Sequence, residues 1–76
     1  MLENEIKRIY NQQDGWSFVE EIERDDNREM SWHTRIFYNK DKNRYIKIRR
    51  VSGGIYSEQF SANYVEKTNT IKWLDK

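Results

Sequence analysis

The spacing of apolar residues changes once along this chain, at Asp14-Gly15, and that change predicts a helix followed only by strands. Before it, Leu2, Ile6, Ile9 and Tyr10 recur on one helical face and Gln13 continues it. Glu3 and Glu5 sit in the first turn, with Lys7 and Arg8 later, as the helix dipole favours. Gly15 is the expected cap beyond the helix. From Trp16 onward the period is two, and clusters of small, polar or glycine residues punctuate it.

The alternating segments define the faces. "WSFVEEIER" sets Trp16, Phe18 and Ile22, with Glu20 among them, against Val19, Glu21 and Glu23. "MSWHTRIFY" sets Met30, Trp32, Thr34, Ile36 and Tyr38 against His33, Arg35 and Phe37. "RYIKIRRV" sets Ile46 and Ile48 against Tyr45, Lys47, Arg49 and Val51. In "IYSEQFSANYV", Tyr56, Phe60, Ala62 and Tyr64 share a face; Tyr56, Phe60 and Tyr64 also fit helical spacing with Ser57 as cap, and the strand is the favoured reading. "TIKWLDK" closes the series with Ile71 and Trp73 together. The expectation is one small α+β domain. An N-terminal helix over about 2–13 packs on a four- to five-stranded antiparallel meander, with strands over about 16–24, 29–39, 44–51, 55–65 and 70–74. A small, partly closed barrel is the more curved form of the same architecture.

Turn chemistry suggests the register. A three-residue loop Asp41-Lys42-Asn43, with Asn43 left-handed, places Tyr38 opposite Ile46 and Ile36 opposite Ile48. A three-residue loop Ser52-Gly53-Gly54 places Ile46 opposite Phe60 and Arg44 opposite Ala62. Both hairpins then bury Ile36, Tyr38, Ile46, Ile48, Phe60 and Ala62, and the helix covers that face with Leu2, Ile6 and Ile9. The opposite face would carry His33, Arg35 and Phe37 beside Tyr45, Lys47 and Arg49, flanked by Ser57, Gln59 and Ser61, with Lys42 at the turn.

Charge is segregated although the net value is only +1. Residues 1–29 hold nine acids and four bases, residues 30–52 seven bases and one acid, and residues 53–76 three of each. The 76-residue chain has one histidine and no cysteine, which excludes a disulfide framework, a thiolate nucleophile and a cysteine zinc site. No metal and no cofactor is expected. No apolar run approaches the roughly 20 residues that span a bilayer, and the N-terminus lacks an apolar signal core, so the expected setting is the cytoplasm with no membrane partner. Aromatic residues make up 14% of the chain, enough to argue for a folded domain despite 36% charged residues.

The candidate binding residues are therefore Arg35, Phe37, Tyr45, Lys47, Arg49, Lys42 and His33. The plainest reading is a wet sheet face on which Glu21 or Glu23 of the acidic first strand pairs with Arg35 or His33. Tyr, Trp and Arg dominate protein interfaces, which favours a non-enzymatic protein-binding domain, either monomeric or an edge-strand homodimer through "TIKWLDK". In its size and its separated charge blocks the chain resembles the small binders of phages and mobile elements, some of which inhibit host nucleic-acid machinery, CRISPR effectors included. That resemblance implies a protein partner. Cations interleaved with aromatic rings also suit single-stranded nucleic acid. A helix before five strands is similar to the element order of Sm-like RNA-binding barrels, which implies the same ligand. The third reading is a metal-independent ribonuclease with His33, Glu21 and Arg35 or Arg49 as an acid–base set. No phosphate loop or nucleophile motif accompanies it.

Overall fold

A computed structural model describes residues 1–27, 29–54 and 56–76. The elements are α1 (Glu3–Tyr10), β1 (Trp16–Asp26), β2 (Ser31–Asn39), β3 (Arg44–Gly53), β4 (Tyr56–Lys67) and β5 (Trp73–Asp75). The five strands form one antiparallel sheet in the order β1-β2-β3-β4-β5, and the helix packs on one side of it. The α+β meander is thus as expected, and residues 56–67 are a strand rather than a helix. Ile55, expected to start that strand, lies outside the described residues, as does the side chain of Tyr56. No helix among the described residues is long and apolar enough to cross a membrane.

The helix is shorter than its periodicity suggests. It ends at Tyr10 with Asn11 as C-cap, and Gln12, Asp14 and Gly15 all take positive φ in the turn to β1. Ile6 and Ile9 are buried, while Leu2 sits at the N-cap position and is exposed. Eight residues span only about 12 Å, whereas a ten-residue strand spans about 33 Å. The helix therefore covers only part of its face. Under it lie Trp16, Phe37, Ile46 and Ile48, with Tyr10, Phe60, Ala62 and Tyr64 at the margin. Beyond its end the same face turns polar, through Arg24, His33, Arg35 and Arg50.

The β2–β3 register corrects the expected one by a single residue. Phe37, rather than Tyr38, lies near Ile46: the pairs are Phe37 with Ile46, Tyr38 with Tyr45 and Asn39 with Arg44. The connection has four residues, Lys40 to Asn43, and Asn43 is left-handed as expected, at φ 51°. Because side chains alternate, this slip moves Ile36 and Tyr38 off the helix side and brings Phe37 into the core. Asn39 explains the choice. It is almost fully buried, its Oδ1 accepts from the Lys42 N–H at 3.0 Å, and its Nδ2 donates to the Asp14 carbonyl at 3.1 Å. One side chain thereby closes the hairpin and anchors the α1–β1 turn.

The β3–β4 register also differs, but by an even number of residues. Ile46 pairs with Tyr64, Ile48 with Ala62 and Arg50 with Phe60, so the shared face of Ile46, Ile48, Phe60 and Ala62 stands. A register shift separates Val51 from Gly53. Gly53 has φ 112°, and a Cβ there would lie 2.6 Å from the Glu29 carbonyl oxygen, so only glycine fits. In β1, register shifts at Val19 and Ile22 each flip the alternation. Trp16, Phe18, Glu21 and Arg24 face the helix side, whereas Glu20, Glu23 and Asp25 face the other; Glu20 does not share a face with Trp16 and Phe18.

That other face is concave. Strands about 4.8 Å apart would put the edges of a flat five-stranded sheet about 19 Å from each other. Yet Glu20 of β1 accepts hydrogen bonds from the Trp73 indole N–H of β5 and from Lys72 Nζ at 2.8 Å. The sheet is a half-barrel, and its inner face holds a second core. Ile36 and Val65 are fully buried there, beside a ladder of Tyr38, Tyr45 and Trp73 with centroids 4.6 and 4.8 Å apart.

Replacing Asn39 with alanine strands the Lys42 N–H and the Asp14 carbonyl. The expected cost is about 1–3 kcal/mol in urea unfolding. A change within about 0.5 kcal/mol would show that the clamp is not needed.

Candidate functional site

The seven residues singled out by the sequence do not form one surface. His33, Arg35 and Phe37 are on the helix side; Tyr45, Lys47 and Arg49 are on the inner face; Lys42 is in the hairpin turn. Phe37 is 1% exposed and belongs to the core, packed against Tyr10 and Phe18. The one-residue register offset accounts for the whole division.

Most of the basic block is neutralised from within. On the helix side, Arg35 Nε bonds Glu21 at 2.8 Å, while its guanidinium lies 5.0 Å from the Tyr10 ring and 5.8 Å from the Phe18 ring. His33 Nε2 meets Asp26 Oδ1 at 2.9 Å, and Arg24 holds the other Asp26 oxygen at 2.8 Å. Arg50 pairs with Glu58 at 2.6 Å. On the inner face, Lys47 bonds Asp75 at 2.8 Å, and Arg49 lies 3.5 Å from Glu23, which also accepts from Thr34. The expected pairing of Glu21 with Arg35 is present; His33 and Glu23 have other partners.

These bonds depress the carboxylates. Hydrogen bonds from Lys72 and then Trp73 hold Glu20 below the ordinary range, and the Arg35 bond does so for Glu21. Asp26 is lowered by His33 and then Arg24, and Asp75 by Lys47 and then Asn63. The bond to Asp26 raises Arg24 in turn. The inner face contains a groove of about 440 Å³ lined by Glu23, Thr34, Lys47, Arg49, Ser61 and Asn63, with Ile22 beside them. Its two cations are balanced by Glu23 and Asp75.

The expected acid–base set is not assembled. Glu21 and Arg35 bond each other, Arg49 is on the opposite face, and His33 is committed to Asp26. The second ring nitrogen of His33 is buried with no partner among the described residues. No group of three or more His, Cys, Asp or Glu side chains among the described residues is placed to hold a metal.

One end of the sheet differs from the rest. Lys40, Lys42 and Arg44, around the β2–β3 turn, make no salt bridge among the described residues. Arg44 lies 4.2 Å from the Tyr64 ring and Lys42 6.0 Å from the Trp16 ring. Trp16 pairs with Asn39 at the base of this turn, and Phe18 follows on the same face about 7 Å along β1. Phe18 and Val19 are 45% and 41% exposed at this end, whereas Ile22, 44% exposed, lies further along β1 beside the inner groove. From this region the sequence offers Lys42 as a binding candidate, with Lys40 near the same turn. Lys40 and Arg44 follow from the turn, but the exposure of Val19 and Ile22 follows from two bulges that alternation cannot reveal. Comparison with protein-family models, curated proteins and solved structures finds no match to this chain.

The depressed carboxylates set the sign of the acid response. Each contributes stability that is fully present above its unfolded value, about pH 4.3 for Glu and 3.9 for Asp, and that is lost as pH falls through its lower folded value. The Trp73 indole N–H resonance should therefore titrate below about pH 4.3 and lose that transition in Glu20→Gln. A transition at the ordinary glutamate value, or one unchanged in the variant, would mean that Glu20 does not staple β5.

Proposed function

We propose that this chain is a small non-enzymatic binding protein that docks on a protein partner through the β2–β3 turn and the adjoining half of β1. The observation that carries this reading is the coincidence, at one end of the sheet, of the exposed Phe18 and Val19 with Lys40, Lys42 and Arg44, which make no salt bridge among the described residues. Protein interfaces combine an apolar centre with a polar rim, and here Phe18 and Val19 supply the first and Lys40, Lys42 and Arg44 the second. The partner surface of matching chemistry is apolar with carboxylates around it. An inhibitor that fills a basic nucleic-acid channel needs an acidic contact surface, and this end has the opposite sign.

The single-strand reading has less support. Its proposed platform Phe37 is in the core, and Arg35, Lys47 and Arg49 are engaged by Glu21, Asp75 and Glu23. Lys40, Lys42 and Arg44 at the turn supply few phosphate contacts.

The test is a quantitative pulldown with the immobilised protein beside two variants of unchanged melting temperature, Phe18→Glu/Val19→Glu and Lys42→Glu/Arg44→Glu. A specific protein retained by the wild type and lost with both variants is the expected result. Capture indifferent to both substitutions sinks the proposal. So does salt-dependent binding of a single-stranded oligonucleotide that disappears in Lys42→Glu/Arg44→Glu.

A further inference from the structure

The two edges of the sheet are treated very differently, and the difference identifies a second interaction surface. An open edge strand offers a row of unpaired N–H and C=O groups, and proteins usually blunt it with charge, proline or bulges. β1 has such protection: two register shifts interrupt it, and Glu20, Glu21, Glu23, Asp25 and Asp26 line it.

β4 has almost none. Its inner edge pairs with β3 in unbroken register from Gln59 to Val65. Its outer edge pairs with β5 only across Val65, Glu66 and Lys67, and the Lys76 N–H then bonds the Tyr64 carbonyl. Along residues 57–63 no described residue pairs with it. In a chain with 36% charged residues, the fifteen positions from Val51 to Val65 contain one charge, Glu58, which Arg50 already neutralises.

We infer that the outer edge of β4 is the interface of a homodimer, in which residues 57–63 of two copies pair antiparallel about a two-fold axis. Self-pairing suits this segment. With the axis at Phe60, Glu58 meets Ala62, Gln59 meets Ser61 and the two half-buried Phe60 rings become cross-strand neighbours; no like charges oppose. The same operation on β1 sets an acidic strand against an acidic strand. Pairing β4 to β1 of another copy is a head-to-tail contact that leaves a free β4 at the end of every assembly. The two-fold arrangement removes both open β4 edges at once. It differs from the dimer expected through "TIKWLDK", since β5 is only three residues long. It uses none of the residues of the proposed partner surface.

Sedimentation equilibrium of the 76-residue chain tests this over about 10–500 μM, where a weak dimer shows itself by concentration dependence. The expected species is a dimer. Gln59→Lys/Ser61→Lys, which brings lysines face to face twice across the axis, should weaken it about tenfold or more. Phe18→Lys/Val19→Lys on the other edge should leave it intact. Should the lysine pair on β4 also perturb folding, hydrogen exchange of the wild type decides: amides within residues 57–63 should gain protection only as concentration rises. A monomer throughout the range, an open-ended series of larger species, or a dimer lost by the β1 substitutions but kept by those on β4 overturns the inference.

Discussion

A helix about 12 Å long cannot cover strands about 33 Å long, and the rest of this structure follows from that mismatch. Only the part of the sheet beneath Ile6 and Ile9 can be apolar on the helix side, and there Phe37, Ile46 and Ile48 are collected. The remaining apolar side chains need another enclosure, and the sheet provides one by curling. Ile36 and Val65 are buried on the inner face, with the rings of Tyr38, Tyr45 and Trp73 packed against one another at one end. A domain of this size buries a modest fraction of its unfolded surface, so dividing the core between two faces lets many large rings contribute.

Curvature also brings distant charges together. Glu20 reaches Lys72 and Trp73 across the full width of the sheet, and Lys47 reaches Asp75 across β4. The acidic first strand and the basic second and third strands complement one another. Exposed pairs of this kind add little stability individually. Their larger effect is on availability, because a cation bonded to a carboxylate is less able to hold a phosphate or a partner. Lys40, Lys42 and Arg44 at the β2–β3 turn make no salt bridge among the described residues, whereas the polar groove inside the curl is balanced in charge.

How far the sequence was legible depends on the segment. Helix, strand order and turns were readable because the apolar period changes from helical to alternating and because Gly53, Gly54 and Asn43 sit where positive φ is needed. The face of β2 was not readable, because Ile36, Phe37 and Tyr38 put large apolar side chains on both parities. Turn chemistry then had to choose between a three- and a four-residue connection. Asn39 decided it through a bond to the carbonyl of Asp14, a residue 25 positions away that local reasoning does not see. The bulges at Val19 and Ile22 were hidden for a related reason. Each reverses the alternation without a glycine to mark it, so the sides taken by Glu20, Glu21 and Glu23 depend on pairing with β2.

The sequence by itself determined the element types and their order, the segregation of acids before bases, and the lack of cysteine chemistry. These rest on local periodicity, local turn preference and composition. Only the tertiary structure decided which cations remain unpaired, which aromatic rings are core, and which sheet edge is open. Those properties depend on register and curvature, and a register offset of one residue exchanges the two faces of a strand while leaving its sequence pattern the same.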